Sequence, residues 1–279
     1  MARNSKSGVL DRIREEVERA RERLSRIRWK VAVVSVKGGV GKSFVVANLA
    51  VALAERGHRV GVLDADVHGP SIPRALGLRG LTLVAGPEGL LPATGPLGVK
   101  VISMALLLSD EKQAVVWRGP MKTAFIRQVL AMAAWGSLDY LLIDLPPGTG
   151  DEQLTIAQLI EDLSGLLVVT TPAELSYSIA AKAGTFAKLL GVRVLGVIEN
   201  MSYFRCPVCG SVHRIFGEGG GEALAGELGA PLLAKLPLDP LVASSMDEGV
   251  PMLLKAPDSE VSSKLRELAE QLDEALSTA

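Results

Sequence analysis

Apolar residues change their spacing repeatedly along this chain, and each change marks a new element. Over residues 8–27, Val9, Leu10, Ile13, Val17, Leu24 and Ile27 recur at three- and four-residue intervals among charges, which predicts an amphipathic helix. From residue 31 onward, short apolar runs alternate with helical patterns. The runs predict strands at 31–36, 60–64, 99–103, 139–144, 166–171, 194–198 and 231–236. The stretches between them predict helices at 42–56, 121–134, 151–161, 174–190, 218–228 and 258–276. That alternation predicts an α/β fold, a mostly parallel sheet with helices on both faces. Gly and Pro crowd residues 78–98, which reads as a hairpin or loop insertion. There is no internal repeat, so residues 30–279 read as a single domain and residues 1–29 as a basic helical extension.

Composition agrees with this architecture. The chain is 48% hydrophobic but only 4% aromatic, a mix that suits buried parallel strands better than an aromatic-rich sandwich. A net charge of −1 gives the whole molecule no strong field for nucleic acid or membrane. No apolar run reaches the roughly 18 residues of a membrane span, and the charged N-terminus is unlike a signal peptide. The expectation is a cytoplasmic protein with neither nucleic acid nor membrane as a partner. One local departure stands out: residues 1–30 carry ten Lys/Arg against five Asp/Glu. This fits a packed helix with a solvated basic face, or a docking arm for an acidic partner, anionic lipid or nucleic acid.

Candidate chemistry begins at Lys37-Gly38-Gly39-Val40-Gly41-Lys42-Ser43, between a predicted strand and a predicted helix. Glycines let backbone N–H groups turn inward around phosphate oxygens, and the following helix N-terminus adds positive potential. Lys42 is placed to reach β- and γ-phosphates, and the Ser43 hydroxyl to ligate Mg²⁺. The general phosphate-loop pattern has Gly where this chain has Val36. Two further strands end in acids. Asp64 and Asp66 stand two apart after 60–63, at the carboxyl edge where open α/β sheets bind ligands. Asp144 ends 139–144 and fits a Walker B group holding the metal's hydration shell; Gly148 and Gly150 beyond it permit a loop that responds to the γ-phosphate.

The only two cysteines, Cys206 and Cys209, lie in Cys-Pro-Val-Cys-Gly, a tight knuckle whose backbone can hydrogen-bond the sulfurs. Zinc and iron–sulfur sites take four ligands, so one chain supplies half a site and a symmetric dimer a whole one. A bridging zinc site, a zinc knuckle completed by His213 and a reversible disulfide remain open on spacing alone.

Taken together, the segments resemble the Mrp/ApbC family of iron–sulfur cluster carriers, within the deviant P-loop ATPases that include MinD and ParA. The matching residues are KGGVGKS at 37–43, DADVHGPS at 64–71, WRGPM at 117–121, DLPPGTGD at 144–151, ENMS at 199–202, CPVCG at 206–210 and FGEGGG at 216–221. The resemblance implies an ATPase that carries a [4Fe–4S] cluster on Cys206 and Cys209 between two copies and passes it to apoproteins, with zinc possible in the isolated protein. It implies that Lys37 crosses to the partner's nucleotide, that Asp66 orients the attacking water and that Asp64 holds Mg²⁺ through a water. Asn200 would read the adenine edge, with Pro237 and Asp239 framing the base. The chain departs from the family at Val36 and at Phe44, where Thr is common. An alternative reading is a MinD/ParA-like positioning ATPase acting on membrane or DNA. Against a C-terminal anchor of that kind, residues 258–279 carry six acids and two bases.

Overall fold

Alternate residues of the strand Ile27–Val34 (β1) enter different cores. Val31 and Val33 face one side and Ala32 and Val34 the other, all fully buried. A strand covered on both faces belongs at the centre of a sheet, and β1 lies there. The computed structural model describes residues 2–66, 69–107, 119–160, 162–173 and 177–277.

In chain order, α1 (Ala2–Leu24) precedes β1, followed by α2 (Lys42–Glu55), β2 (Val60–Asp64), α3 (Ile72–Ala75), β3 (Val84–Gly86), β4 (Gly89–Leu91), β5 (Ala93–Thr94) and β6 (Lys100–Ser103). Then come α4 (Gly119–Met132), β7 (Leu138–Asp144), α5 (Asp151–Gln158), β8 (Gly165–Thr170), α6 (Tyr177–Leu190) and β9 (Val194–Glu199). The last third holds β10 (Phe204–Arg205), β11 (Val212–His213), α7 (Gly220–Leu228), β12 (Leu232–Lys235), α8 (Pro240–Glu248), α9 (Met252–Lys255) and α10 (Glu260–Ser277). The central sheet runs β12-β9-β8-β1-β7-β2-β6-β5, parallel except for the short edge strand β5. This is the expected α/β architecture.

One face is covered by α2, α9 and α10. The last of these packs Val261, Leu265, Leu268, Leu272 and Leu276 inward at three- and four-residue spacing. The other face is covered by α1, α4, α5, α6 and α7, with Leu24, Ile126, Leu130, Ile156, Phe186 and Leu224 among its buried side chains. Helix α2 is apolar nearly all round because it is enclosed between the sheet and α10.

Register sets the functional edge. Parallel pairing aligns Val33 with Asp144, Asp144 with Asp64, and Asp64 with Ser103, one row across β1, β7, β2 and β6. The predicted strand-end acids therefore become neighbours.

Some boundaries differ from the sequence reading. Helix α1 ends at Leu24, and β1 starts at Ile27, four residues before the expected strand. Ile27 sits three residues from Leu24 and so fits a helical stripe, but it is buried as a strand residue paired with Leu138. The stretch 78–98 forms the β3–β4 hairpin and β5. Helices α3, α8 and α9 were not expected; each is short. Trp117 and Arg118 lie outside the described residues.

Helix α1 is docked rather than loose: Ala20 and Leu24 are buried in the second core, Arg127 pairs with Glu16 at 2.7 Å, and Arg23 donates to the Ala133 carbonyl at 3.0 Å. Leu24→Ala is accordingly expected to lower stability by roughly 2–5 kcal/mol in urea unfolding. A loss under about 0.5 kcal/mol, typical of surface positions, would mean α1 is not part of the folded unit.

Candidate functional site

The loop between β1 and α2 closes on two left-handed glycines, Gly39 (φ 84°) and Gly41 (φ 81°). Gly41 starts α2, and a Cβ there would lie 2.2 Å from Asn200 Nδ2, so no other residue fits without displacing Asn200. Lys42 follows, buried, with its ammonium paired to Asp144 Oδ1. Ser43 Oγ donates to Asp144 Oδ2 at 2.6 Å. The head of α2 is thus tied to the end of β7 by two bonds to one carboxyl group.

Asp144 and Asp64 are both fully buried on adjacent strands. Burial pushes the Asp144 carboxyl up and the Lys42 charge pulls it back down. Asp64 lacks so close a cation: burial, then the neighbouring Asp144, push it up to about 8, while Ser103 Oγ (2.9 Å) and the Asp66 N–H (3.2 Å) donate to it and resist the rise. Asp66 is half-buried at the mouth, accepting from the Gly69 N–H at 3.2 Å.

A cleft of about 380 Å³ opens over this row. Gly38 to Phe44 line it together with Asp66, Ser71 and Pro147, and α8 contributes Val242 and Met246. Lys37, Gly38 and Gly39 are exposed at its rim. The loop after β7 is strapped down: the Gly148 N–H reaches the Ser35 carbonyl at 2.8 Å, while Gln153 donates to the Pro147 carbonyl (2.7 Å) and accepts from the Gly150 N–H (3.0 Å).

The structure therefore brings Gly38 to Phe44, Asp66 and Asp144 together, with Asp64 directly beneath. It does not bring Pro237 and Asp239 into this cleft. They line a separate cavity of about 310 Å³ with Phe204, Arg205, Leu241 and Glu260, and Asp239 caps α8 by accepting from the Leu241 N–H at 2.8 Å. Asn200 is buried behind the phosphate loop, donating from Nδ2 to the Val40 carbonyl at 2.9 Å.

The thiols sit on the β10–β11 hairpin. Cys206 N–H donates to the Ser211 carbonyl and Gly210 N–H to the Cys206 carbonyl, both at 2.9 Å, with Gly210 left-handed at φ 71°. Cys209 is exposed, and Val208 between the sulfurs is 92% exposed. The Ser211 hydroxyl lies 2.9 Å from Cys209 Sγ; it, the Ser211 backbone and Cys206 hold the Cys209 thiol down to about 7. That favours the thiolate a metal needs. His213 places Nε2 3.0 Å from Ser211 Oγ. Among the described residues there is no group of three or more His, Cys, Asp or Glu placed to hold a metal.

Sequence reasoning missed Gln153, Ser103, Val242 and Met246. For three of these a local signal existed: Gln153 is the third residue of α5, the position from which a side chain reaches back to a helix start. Asp239-Pro240 is likewise a helix-opening pair, placing Val242 and Met246 one turn apart.

The Asp64 shift carries a sign. The unfolded carboxyl titrates near its ordinary value of 3.8 and the folded one near 8, so between them the unfolded chain binds fewer protons and stability falls as pH rises. The slope reaches at most about 1.4 kcal/mol per pH unit. Urea unfolding in chelator at pH 5 and pH 8 should show wild type losing more stability over that interval than Asp64→Asn. Equal losses would refute the raised value.

With this geometry in view, the relatives are informative. A family model described as ParA: NUBPL iron-transfer P-loop NTPase matches residues 26–273. A Saccharolobus solfataricus protein named iron-sulfur cluster carrier protein is 48% identical over 250 residues, 90% of this chain and 84% of its own length. The cytosolic Fe-S cluster assembly factor CFD1 of Eremothecium gossypii is 45% identical over 233 residues, 81% of this chain and 83% of its own. A solved nucleotide-binding protein from Archaeoglobus fulgidus, in complex with ADP, matches with a TM-score of 0.78 at 41% identity, covering 88% of this chain and 95% of that one. This chain belongs to the ParA family of P-loop NTPases, in its NUBPL iron-transfer group.

Proposed function

We propose that this protein is an ATP-hydrolysing scaffold that holds a [4Fe–4S] cluster between two copies of itself and delivers it to apoproteins in the cytoplasm. The observation that carries the reading is the pair of accessible thiols on one hairpin, Cys209 already biased toward thiolate, in a chain whose other specialised site is a phosphate-loop cleft. Each copy contributes two sulfurs, and a four-thiolate cage needs both. The names of the carrier and assembly-factor relatives support iron–sulfur cargo over zinc, and the cytosolic relative supports the compartment.

The cleft residues divide the ATPase chemistry among themselves. Backbone N–H groups of Gly38 to Ser43 and the head of α2 would hold the phosphates, with Lys42 turning from Asp144 toward their oxygens. Ser43 Oγ and the Asp144 carboxyl, 2.6 Å apart, form a hard-oxygen pair that fits Mg²⁺, Ser43 directly and Asp144 and Asp64 through waters. That metal would offset phosphate charge. Asp66, at the cleft mouth, would orient the attacking water. Lys37, exposed beside the phosphate loop, would face a second copy and neutralise charge on the transferring phosphoryl group. Base recognition falls to Asn200, Pro237 and Asp239; for this Asn200 would have to release the Val40 carbonyl, and α8 would have to carry Asp239 toward the cleft that Val242 and Met246 already line. Coupling of nucleotide to cargo requires ATP to bind the two dimer states unequally.

Cys206→Ser/Cys209→Ser should bind ATP as wild type does yet develop no brown chromophore on anaerobic reconstitution with iron and sulfide. Persistence of the chromophore would remove the carrier role. Lys37→Ala should retain ATP affinity but hydrolyse ATP about a thousandfold more slowly in a turnover assay, the scale of a lost arginine finger. Unchanged turnover would show that no cross-subunit cation acts.

A further inference from the structure

Glu199 is a buried carboxyl group that the ATPase chemistry does not use. It ends β9, is 1% exposed, and holds two partners at short range: Ser202 Oγ donates to Oε1 at 2.5 Å and the Gly221 N–H donates to Oε2 at 2.6 Å. These partners bracket the thiols. The chain leaves the sheet at Ser202, runs through the β10–β11 hairpin with Cys206 and Cys209, and returns at Gly221 in the first turn of α7. Glu199 therefore clips together the two ends of the excursion that carries the sulfurs. Gly221 is required for this: a Cβ there would fall 2.8 Å from the Glu199 side chain.

The next residue faces the other site. Asn200 supports the phosphate loop through the Val40 carbonyl, and Met201 beside it has a left-handed backbone (φ 55°), a conformation a non-glycine residue keeps only when its surroundings enforce it. Backbone bonds fix the pair on both sides, from Asn200 N–H to the Thr170 carbonyl at 2.8 Å and from Leu236 N–H to the Glu199 carbonyl at 2.8 Å. Two adjacent residues thus touch the phosphate loop and the root of the thiol hairpin.

We infer that Glu199 is a positioning residue that transmits the state of the phosphate loop, received through Asn200, to the thiol hairpin through Ser202 and Gly221. The inference rests on the nucleotide half of the proposed function and is independent of the cluster half.

The test reads the thiols without a cluster. Cys206 and Cys209 are the only cysteines of the chain, so iodoacetamide reports them alone. Alkylation of the full-length reduced protein is timed with and without Mg²⁺ and a non-hydrolysable ATP analogue, and affinity for that analogue is measured in parallel. Nucleotide should change the wild-type alkylation rate about fivefold or more, the lower range of coupling between linked sites. Glu199→Gln keeps shape but turns an amide N–H₂ toward one of two donors, and Ser202→Ala removes one bond outright. Both should bind the analogue normally and lose the nucleotide effect. Ser202→Ala, the milder change, carries the test if Glu199→Gln fails to fold. A nucleotide effect retained in a folded variant, or absent from wild type that binds the analogue, overturns the inference. Failure of wild type to form a chromophore would count against cluster carriage alone.

Discussion

A carboxyl group at the end of a central strand is buried at a cost that only a partner can offset. Asp144 is in that position, and Lys42 and Ser43 are its partners. This contact does more than satisfy one acid. It joins the end of β7 to the first turn of α2, and so holds the phosphate loop closed over the sheet edge. Around it the parallel register places Asp64 on the adjacent strand, where burial and the Asp144 charge raise its carboxyl to about 8. One buried ammonium serves Asp144 closely and Asp64 at longer range, and the edge retains a demand for positive charge. On the proposed reading Mg²⁺ arriving with the phosphates meets that demand. Lys42 could then turn to the phosphates without leaving Asp144 uncompensated.

The same edge explains why the sequence was so readable near the loop. Gly39, Gly41, Lys42 and Ser43 act through local geometry: left-handed turns, then a helix start. Such features are written in consecutive residues and need no knowledge of topology. The alternation of apolar strands and helices likewise disclosed the α/β class, because a strand buried on both faces leaves a run that solvent-facing strands do not. Where two periods overlapped, the reading slipped. Ile27 satisfies a helical stripe from Leu24, and only its pairing with Leu138 reveals it as the first residue of the strand.

What stayed hidden depends on which distant segments meet. Nothing in the spacing of Asn200 announces Val40, 160 residues earlier; the strand order β9-β8-β1 brings them together. Val242 and Met246 line the cleft because α8, capped by Asp239, carries them there, whereas the sequence reading placed no helix at 240–248. Pro237 and Asp239 show the converse. The resemblance assigned them to the base, and in the structure they border a neighbouring cavity beside the thiol hairpin.

That neighbouring position has a physical consequence. The floor of the phosphate-loop cleft is dry: Asp64 and Asp144 are fully buried, Asp66 at the mouth is half-buried, and the loop after β7 is strapped to the Ser35 carbonyl. The thiol end is wet, with Cys209 and Val208 open to solvent. Such a division suits a carrier, because phosphate chemistry gains from excluded water while thiolate ligands must be approached in order to be exchanged. A wet hairpin, however, has little intrinsic rigidity, since two short strands alone are marginally stable. Its sulfurs can respond to the cleft only if its root is held by something stiffer. Arg205 braces the outer side against Glu260 at 2.8 Å on α10, and Tyr203 donates to the same carboxylate at 2.7 Å. Glu199 closes the inner side. The hairpin is thereby anchored between a helix packed on one face of the sheet and a strand whose end touches the phosphate loop, and on the inferred coupling the two sulfurs would follow that strand end.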